Sequence, residues 1–207
     1  MSLEKYIISS CVISKNIVLK NNEKVFSSNA DNIQDFLLSV YQSLKIDYPK
    51  FYKMDNLSKL GFLASEVLLK DEPVAKEVEQ DKIGVILSNS NSSLDADEKY
   101  FRSIKEMASP ALFVYTLPNI VMGEICIRNK FKGENSFFVF DKFNAKFLEQ
   151  YVHELFNNDI VQLCICGWVD VLDEDYETVL FLVATKPQKH VLLFSEENMN
   201  SIFKIIE

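Results

Sequence analysis

Glycine and proline are scarce, with five of each in 207 residues. There is no Gly/Pro/Ser-rich linker, no internal repeat and no low-complexity stretch, so nothing marks a domain boundary. Residues 1–207 read as a single domain. Cysteine is rare as well. Cys11, Cys126, Cys164 and Cys166 all lie inside apolar segments, away from the loop spacings of a disulfide framework. No apolar run approaches the ~18 residues that a membrane-spanning helix needs. The N-terminus MSLEKYIISSC has no basic stretch leading into a long apolar one, so no secretory signal is expected. Positive charge is in deficit: 22 Lys and Arg against 30 Asp and Glu give a net charge of -8. Such a surface repels phosphate backbones and disfavours nucleic acid as a partner. A cytoplasmic protein without membrane span or nucleic acid is the expectation.

What is present is core material. The chain is 48% hydrophobic and 25% charged, a balance that allows a sizeable buried core and argues against disorder. Tyr6 to Ile13 is a short β-branched run of strand length. Ile17–Leu19 and Val25–Phe26 flank a polar stretch with Asn21–Asn22 near its turn, which predicts a small hairpin or surface arm. Ile33, Phe36, Leu37, Val40, Tyr41 and Leu44 then fall at helical spacing. A second helix is predicted from Asp55 to Leu69 and ends before Pro73.

Ile83 to Leu87 reads as a strand, and Leu94 to about Met107 as a helix stopped by Ser109–Pro110. Pro118 suits the start of a helix carrying Val121 to Arg128. Ser136 to Phe140 (SFFVF) is another strand, followed by a helix from Phe143 to Phe156. Ile160 to Val169 and Thr178 to Ala184 are the last strands, and a helix from about Ser195 aligns Met199, Ile202, Phe203 and Ile206. Only the acidic turn Asp173–Glu174–Asp175 separates those two strands. A crossover helix cannot fit there, so the final strand should be antiparallel. The pattern is α/β, a sheet covered by helices.

This order of segments resembles the N-terminal half of the β-ketoacyl synthase family, which has a thiolase fold. YIISSCVIS stands where that family opens its first strand, and FYKMDNLSKLGFLASEVLL looks like its early helix. IGVILSNSNSSLDADEKYF is similar to its second strand and small polar turn. The most specific stretch is ASPALFVYTLPNIVMGEICIRNKFKGEN, with Ser109–Pro110, Phe113, Pro118–Asn119, Gly123, Gly133 and Asn135 in the family's order. DIVQLCICGWVDV resembles the strand ending in a Gly-Gly pair, with Trp168 in place of the second glycine. The resemblance covers most of residues 5 to 185. It implies half of a thiolase-like fold: a mixed five-stranded sheet, helices on both faces, the last strand antiparallel.

The chemistry departs from the family. A condensing synthase places a cysteine at a helix N-terminus, where dipole and backbone N–H groups favour the thiolate. Here that turn reads Phe140–Asp141–Lys142–Phe143–Asn144, and no cysteine lies between Cys126 and Cys164. The family's two catalytic histidines come from a second, homologous half, and neither His153 nor His190 matches them; the sequence ends about where a first half would. Asp141, Lys142 and Phe143 are therefore read as a degenerate nucleophile turn. No catalytic residue is assigned, no cofactor and no metal is expected, and independent condensing activity is not anticipated.

Other candidates have a plainer reading beside the functional one. Cys164 and Cys166 share one strand face, as half of a metal site or, more simply, as small core residues. The run Asp170, Asp173, Glu174, Asp175, Glu177 lacks the spacing of a calcium loop and reads as a solvated turn. Arg128, Lys130 and Lys132 form a basic spot that suits an acidic partner or a helix end. Ser88 to Ser93 has neither the glycine nor the lysine of a phosphate loop.

The resemblance implies a non-catalytic subunit pairing with a full-length ketosynthase, as chain-length factors do in polyketide and aryl-polyene systems; fatty-acid biosynthesis is the third setting. Phe137, Phe138 and Val139 are the expected interface, because the family dimerises through that strand. Phe140, Phe143 and Phe147 are the residues expected to line or cap an acyl tunnel. A homodimer and contact with an acyl-carrier protein are the other partner expectations. The alternative is a stand-alone module binding an acyl chain or a carrier protein, and a third reading builds a divergent enzyme on Asp141, Lys142 and His153.

Overall fold

The computed structural model describes residues 4–105, 107–186 and 192–205. The chain opens with β1 (Tyr6–Ser14), β2 (Ile17–Lys20) and β3 (Glu23–Ser27). Both connections are two-residue turns, Lys15–Asn16 and Asn21–Asn22, with all four residues at positive φ between 48° and 66°. This is the geometry of primed hairpin turns, and asparagine tolerates it best among residues with a side chain. The predicted arm around Asn21–Asn22 is therefore present. The hairpin joining β1 to β2 was not foreseen, because Lys15 is an unusual residue for such a turn.

After the arm come α1 (Ile33–Ser43), α2 (Asn56–Leu69), the single turn α3 (Val74–Glu77) and β4 (Ile83–Asn89). Then follow α4 (Leu94–Ile104), α5 (Pro110–Val114), α6 (Ile120–Asn129), β5 (Asn135–Val139) and α7 (Ala145–Asn157). The chain finishes with β6 (Leu163–Leu172), β7 (Asp175–Ala184), β8 (Leu192–Leu193) and α8 (Glu196–Phe203). His190 and Ile206 lie outside the described residues. Side-chain caps set the long helices' starts: Asn32 accepts from the Asp35 N–H at 2.9 Å, and Asp55 from that of Ser58 at 3.0 Å.

The strands form one sheet in the order β3-β2-β1-β7-β6-β4-β5, with β8 paired to the start of β1. β4 is parallel to β5 and β6, while β7 is antiparallel to both its neighbours, β6 and β1. The five central strands and the antiparallel last one are as expected. The sheet is wider than the five strands expected, because the arm and β8 continue it beyond β1.

Helices cover both faces. On one side α1, α2 and α6 pack on Cys11, Ile13, Val85, Ile165 and Leu182; on the other α7 and α8 pack on Ile86, Cys166, Phe181 and Val183. Each large apolar side chain so buried contributes roughly 1.5–3 kcal/mol. β4 and β6 are buried almost throughout, which explains why they read as unbroken apolar runs. Gly61 lets α2 and α6 touch: a Cβ there would meet Val121 Cγ2 at 2.4 Å. Gly167 in β6 has φ +153°, and a Cβ would meet the Val179 carbonyl oxygen at 2.0 Å. Only glycine fits there.

Two helix starts differ from the sequence reading. The Asn144 side chain accepts from the Phe147 N–H at 3.0 Å, so α7 begins at Ala145 and Phe143 precedes it. Asn119, not Pro118, flanks the first residue of α6. Pro110 also opens α5, capped by Ser109, where the sequence reading placed only the end of the preceding helix.

Candidate functional site

β5 is one of the sheet's two terminal strands, at the edge opposite β3. It pairs with β4 from Val85↔Asn135 to Asn89↔Val139, and among the described residues no strand pairs with its other side. Val139 is 51% exposed. An unpaired edge carries free N–H and C=O groups and is a ready template for another strand. The sequence expectation placed Phe137, Phe138 and Val139 on an interface, and the fold sets all three on this open edge.

An aromatic cluster flanks the edge. Phe138 stands edge-on to Phe147 at 4.6 Å and to Tyr151 at 5.2 Å, and Phe140 lies 5.0 Å from Phe147. Phe147 stacks on Tyr151 at 5.6 Å, while the Tyr151 hydroxyl is 3.2 Å from Ser136 Oγ. All of these rings are only partly buried.

The α4–α5 segment adds a second apolar surface. Phe101, Ile104, Met107, Phe113, Val114 and Leu117 are all exposed, Phe101 to 66% and Met107 to 83%. Ser93 Oγ donates to the Thr116 carbonyl, and the Phe140 N–H to the Asn89 carbonyl. The first bond ties the two ends of this segment together just beyond β4, and the second joins the ends of β4 and β5. Sequence reasoning missed this surface. The apolar stretch ALFVYTL was the available signal, but nothing in it said which way the side chains would face.

The turn Asp141–Phe143, expected to be a degenerate nucleophile turn, closes one end of the same region. Asp141 and Lys142 are exposed and Phe143 is buried at the start of α7. Phe140, Phe143, Lys142, Lys146, Glu196 and Phe203 help to line an open cleft of about 590 Å³. Phe143 turns away from Phe147: it stacks on Phe203 at 4.5 Å and meets Trp168 edge-on at 6.2 Å. The structure brings Phe140 and Phe147 together and sends Phe143 under α8. His153 lies nine residues beyond Asn144 on α7, about 13 Å along the helix at ~1.5 Å per residue. Asp141, Lys142 and His153 therefore do not converge.

The other candidates have structural duties. Cys164 and Cys166 are buried on the α7 side of the sheet, where burial and the neighbouring Cys164 push the Cys166 thiol up. Burial also raises Cys126, to about 11. Asp170 accepts from the N–H groups of Ser90 and Asn91 at 3.2 and 3.1 Å and from their side chains at 2.8 and 2.7 Å. The polar turn after β4 thus holds a carboxylate of its own chain. Glu174 accepts from the Ile33 N–H at 2.8 Å, and Glu177 from the Trp168 indole at 3.0 Å. Arg128 grips Glu66 through two bonds of 2.9 and 3.1 Å, with its guanidinium 5.2 Å from the Tyr48 ring. Among the described residues no group of His, Cys, Asp and Glu is arranged to hold a metal ion, and no helix is long and apolar enough to cross a membrane.

Comparison with solved structures decides the fold. Residues covering 87% of this chain superpose on 62% of the ishigamide ketosynthase/chain length factor, at TM-score 0.63 and 16% identity. The chain has a ketosynthase fold. A type II polyketide ketosynthase, solved with its acyl-carrier protein and bound to the hexaketide, matches over 89% of this chain and 63% of its own, at TM-score 0.61 and 13% identity. A ketosynthase in complex with its chain length factor from Xenorhabdus doucetiae matches over 88% and 79%, at TM-score 0.56 and 13% identity. This chain therefore spans about three fifths of the length of the first two ketosynthase-fold proteins. No protein-family profile matches it, and no curated protein does.

Proposed function

We propose that this chain is a non-condensing ketosynthase-fold subunit that pairs with a full-length ketosynthase, in the manner of a chain-length factor, in polyketide, aryl-polyene or fatty-acid biosynthesis. The observation that carries the reading is the open edge of β5, apolar at Val139 and flanked by the cluster of Phe138, Phe140, Phe147 and Tyr151. A partner with its own edge strand would continue the sheet there, and the exposed α4–α5 surface would fold against it. The turn before α7 holds Asp141, Lys142 and Phe143 and no cysteine, and burial raises the Cys11, Cys126 and Cys166 thiols. That supports a shaping role rather than a catalytic one. Phe140 and Phe147 would then bound the acyl chain held by the partner.

The test is size-exclusion chromatography with light scattering, on the chain alone and mixed with a full-length ketosynthase. A one-to-one complex supports the reading. A monomer or homodimer that ignores the synthase counts against it, and an acyl chain retained in native mass spectrometry would then favour a stand-alone binding module.

A further inference from the structure

The last described segment, residues 192–205, crosses the molecule as a strap. β8 pairs Leu193 with Tyr6 and Leu192 with Ile7, and the Phe194 N–H donates to the Lys5 carbonyl at 2.8 Å. Phe194 is 1% exposed, and Met199 and Ile202 are buried beside it. The Glu196 N–H donates to Glu149 Oε2 of α7 at 2.7 Å, and Ser195 caps α8 through the Asn198 N–H. Beyond these contacts α8 supplies Glu196, Asn200 and Phe203 to the wall of the cleft at the degenerate turn.

One group under this strap is out of keeping with its surroundings. His153 of α7 lies 5.7 Å from the Phe194 ring, and its Nε2 is buried with no hydrogen-bond partner. A neutral imidazole tolerates that position; a protonated one must place an N–H donor there without an acceptor. The charged groups acting on it are Lys5 from the lead into β1, and Glu149 and Glu154 from α7 itself. Glu196 faces α7 from the strap. Lys5 is 1% exposed, with its ammonium against Asn157 Oδ1, so a positive charge is already buried nearby.

We infer that His153 is a latch: neutral, it holds the 192–203 strap closed over α7, and protonated, it releases the strap and opens one wall of the cleft beside Phe143. Burial and Lys5 hold its pKa below the usual histidine value, against the opposing pull of Glu149, Glu154 and the Phe194 main chain. For a histidine lowered in this way, stability is present above its unfolded pKa and is lost as pH falls below about 6.5. The strap is closed at neutral pH and loosens in mild acid. The inference concerns this chain's own cover and stands whether or not a ketosynthase binds.

Hydrogen-exchange mass spectrometry on the full chain from pH 8 to 5.5, corrected for intrinsic rates, tests it. Peptides within 192–205 should lose protection by up to about tenfold per pH unit once His153 titrates, because a single proton is linked. Peptides from β4 and β6 should keep theirs. Trp168, the chain's one tryptophan, touches Phe143, which stacks on Phe203, so its emission should shift over the same range. His153→Gln should remove the response and His190→Gln should leave it intact. An unchanged response in His153→Gln, or its loss in His190→Gln, overturns the inference. Should His153→Gln not fold, imidazole NMR titration of the wild type decides: a His153 that titrates while strap protection stays constant overturns it equally.

Discussion

Phe138 on the edge strand and Phe147 on α7 meet edge to face with ring centroids 4.6 Å apart. That contact ties the open strand to α7, the helix that follows the turn Asp141–Phe143, so edge and turn behave as one surface. Val139 stands beside it with half its area in solvent. A charge at Val139 should therefore cost the isolated chain little, within roughly 0.5 kcal/mol. It should nevertheless block strand addition. Val139→Lys is expected to abolish the complex with a ketosynthase in light scattering while leaving the melting temperature of the free chain within a few degrees. An unweakened complex would move the interface elsewhere.

Among the five glycines, Gly167 leaves the least room for a side chain. Its φ of +153° and the Val179 carbonyl 2.0 Å from any Cβ leave no rearrangement short of parting β6 from β7. Gly167→Ala should destabilise the chain by at least about 3 kcal/mol in urea titration, at the severe end for one added methyl. The Trp168 ring beside it fills the α7 side of the sheet, and its indole N–H reaches Glu177.

Asp55 sets a pH dependence of its own. Burial at the start of α2 raises its carboxyl to about 6, opposed by the Ser58 bonds and reinforced by Asp95. A raised carboxyl binds its proton more tightly folded than unfolded, so its contribution to stability is fully present below about 3.9 and is lost as pH climbs through 6. Asn is an equally good cap. Asp55→Asn should thus gain on the wild type as pH rises from 4 to 7, by on the order of 2 kcal/mol at the upper end. Paired denaturation curves at several pH values read that difference directly; a constant gap would show that Asp55 ionises normally.

Much of this architecture was legible because its signals are local. β4 and β6 announced themselves as continuous apolar runs, Asn21–Asn22 as a turn, and the short Asp173–Glu174 connection as an antiparallel pair. The partners of single polar atoms were not legible. Asp170 looked like part of a solvated acidic turn, yet it organises a loop eighty residues earlier in the chain, and no periodicity encodes that. Phe143 read as the first residue of its helix; the Asn144 cap released it to turn under α8 instead. The α4–α5 surface was hidden because an apolar stretch such as ALFVYTL does not say whether its side chains meet the core or solvent.

The turn Asp141–Phe143 can be probed through a thiol placed in it. Native Cys11, Cys164 and Cys166 are buried, and Cys126 is half-buried with its pKa raised to about 11. Lys142 is exposed in the turn, two residues before the Asn144 cap of α7. A cysteine there would keep an ordinary or lowered pKa. Against Cys126, the larger thiolate fraction is partly offset by lower intrinsic nucleophilicity. Lys142→Cys should still alkylate with iodoacetamide at neutral pH on the order of tenfold faster or more. Mass spectrometry of the labelled peptides distinguishes the sites. Should the introduced thiol react no faster than Cys126, the turn is covered in solution, and the open cleft described at Phe143 and Phe203 is not its resting form.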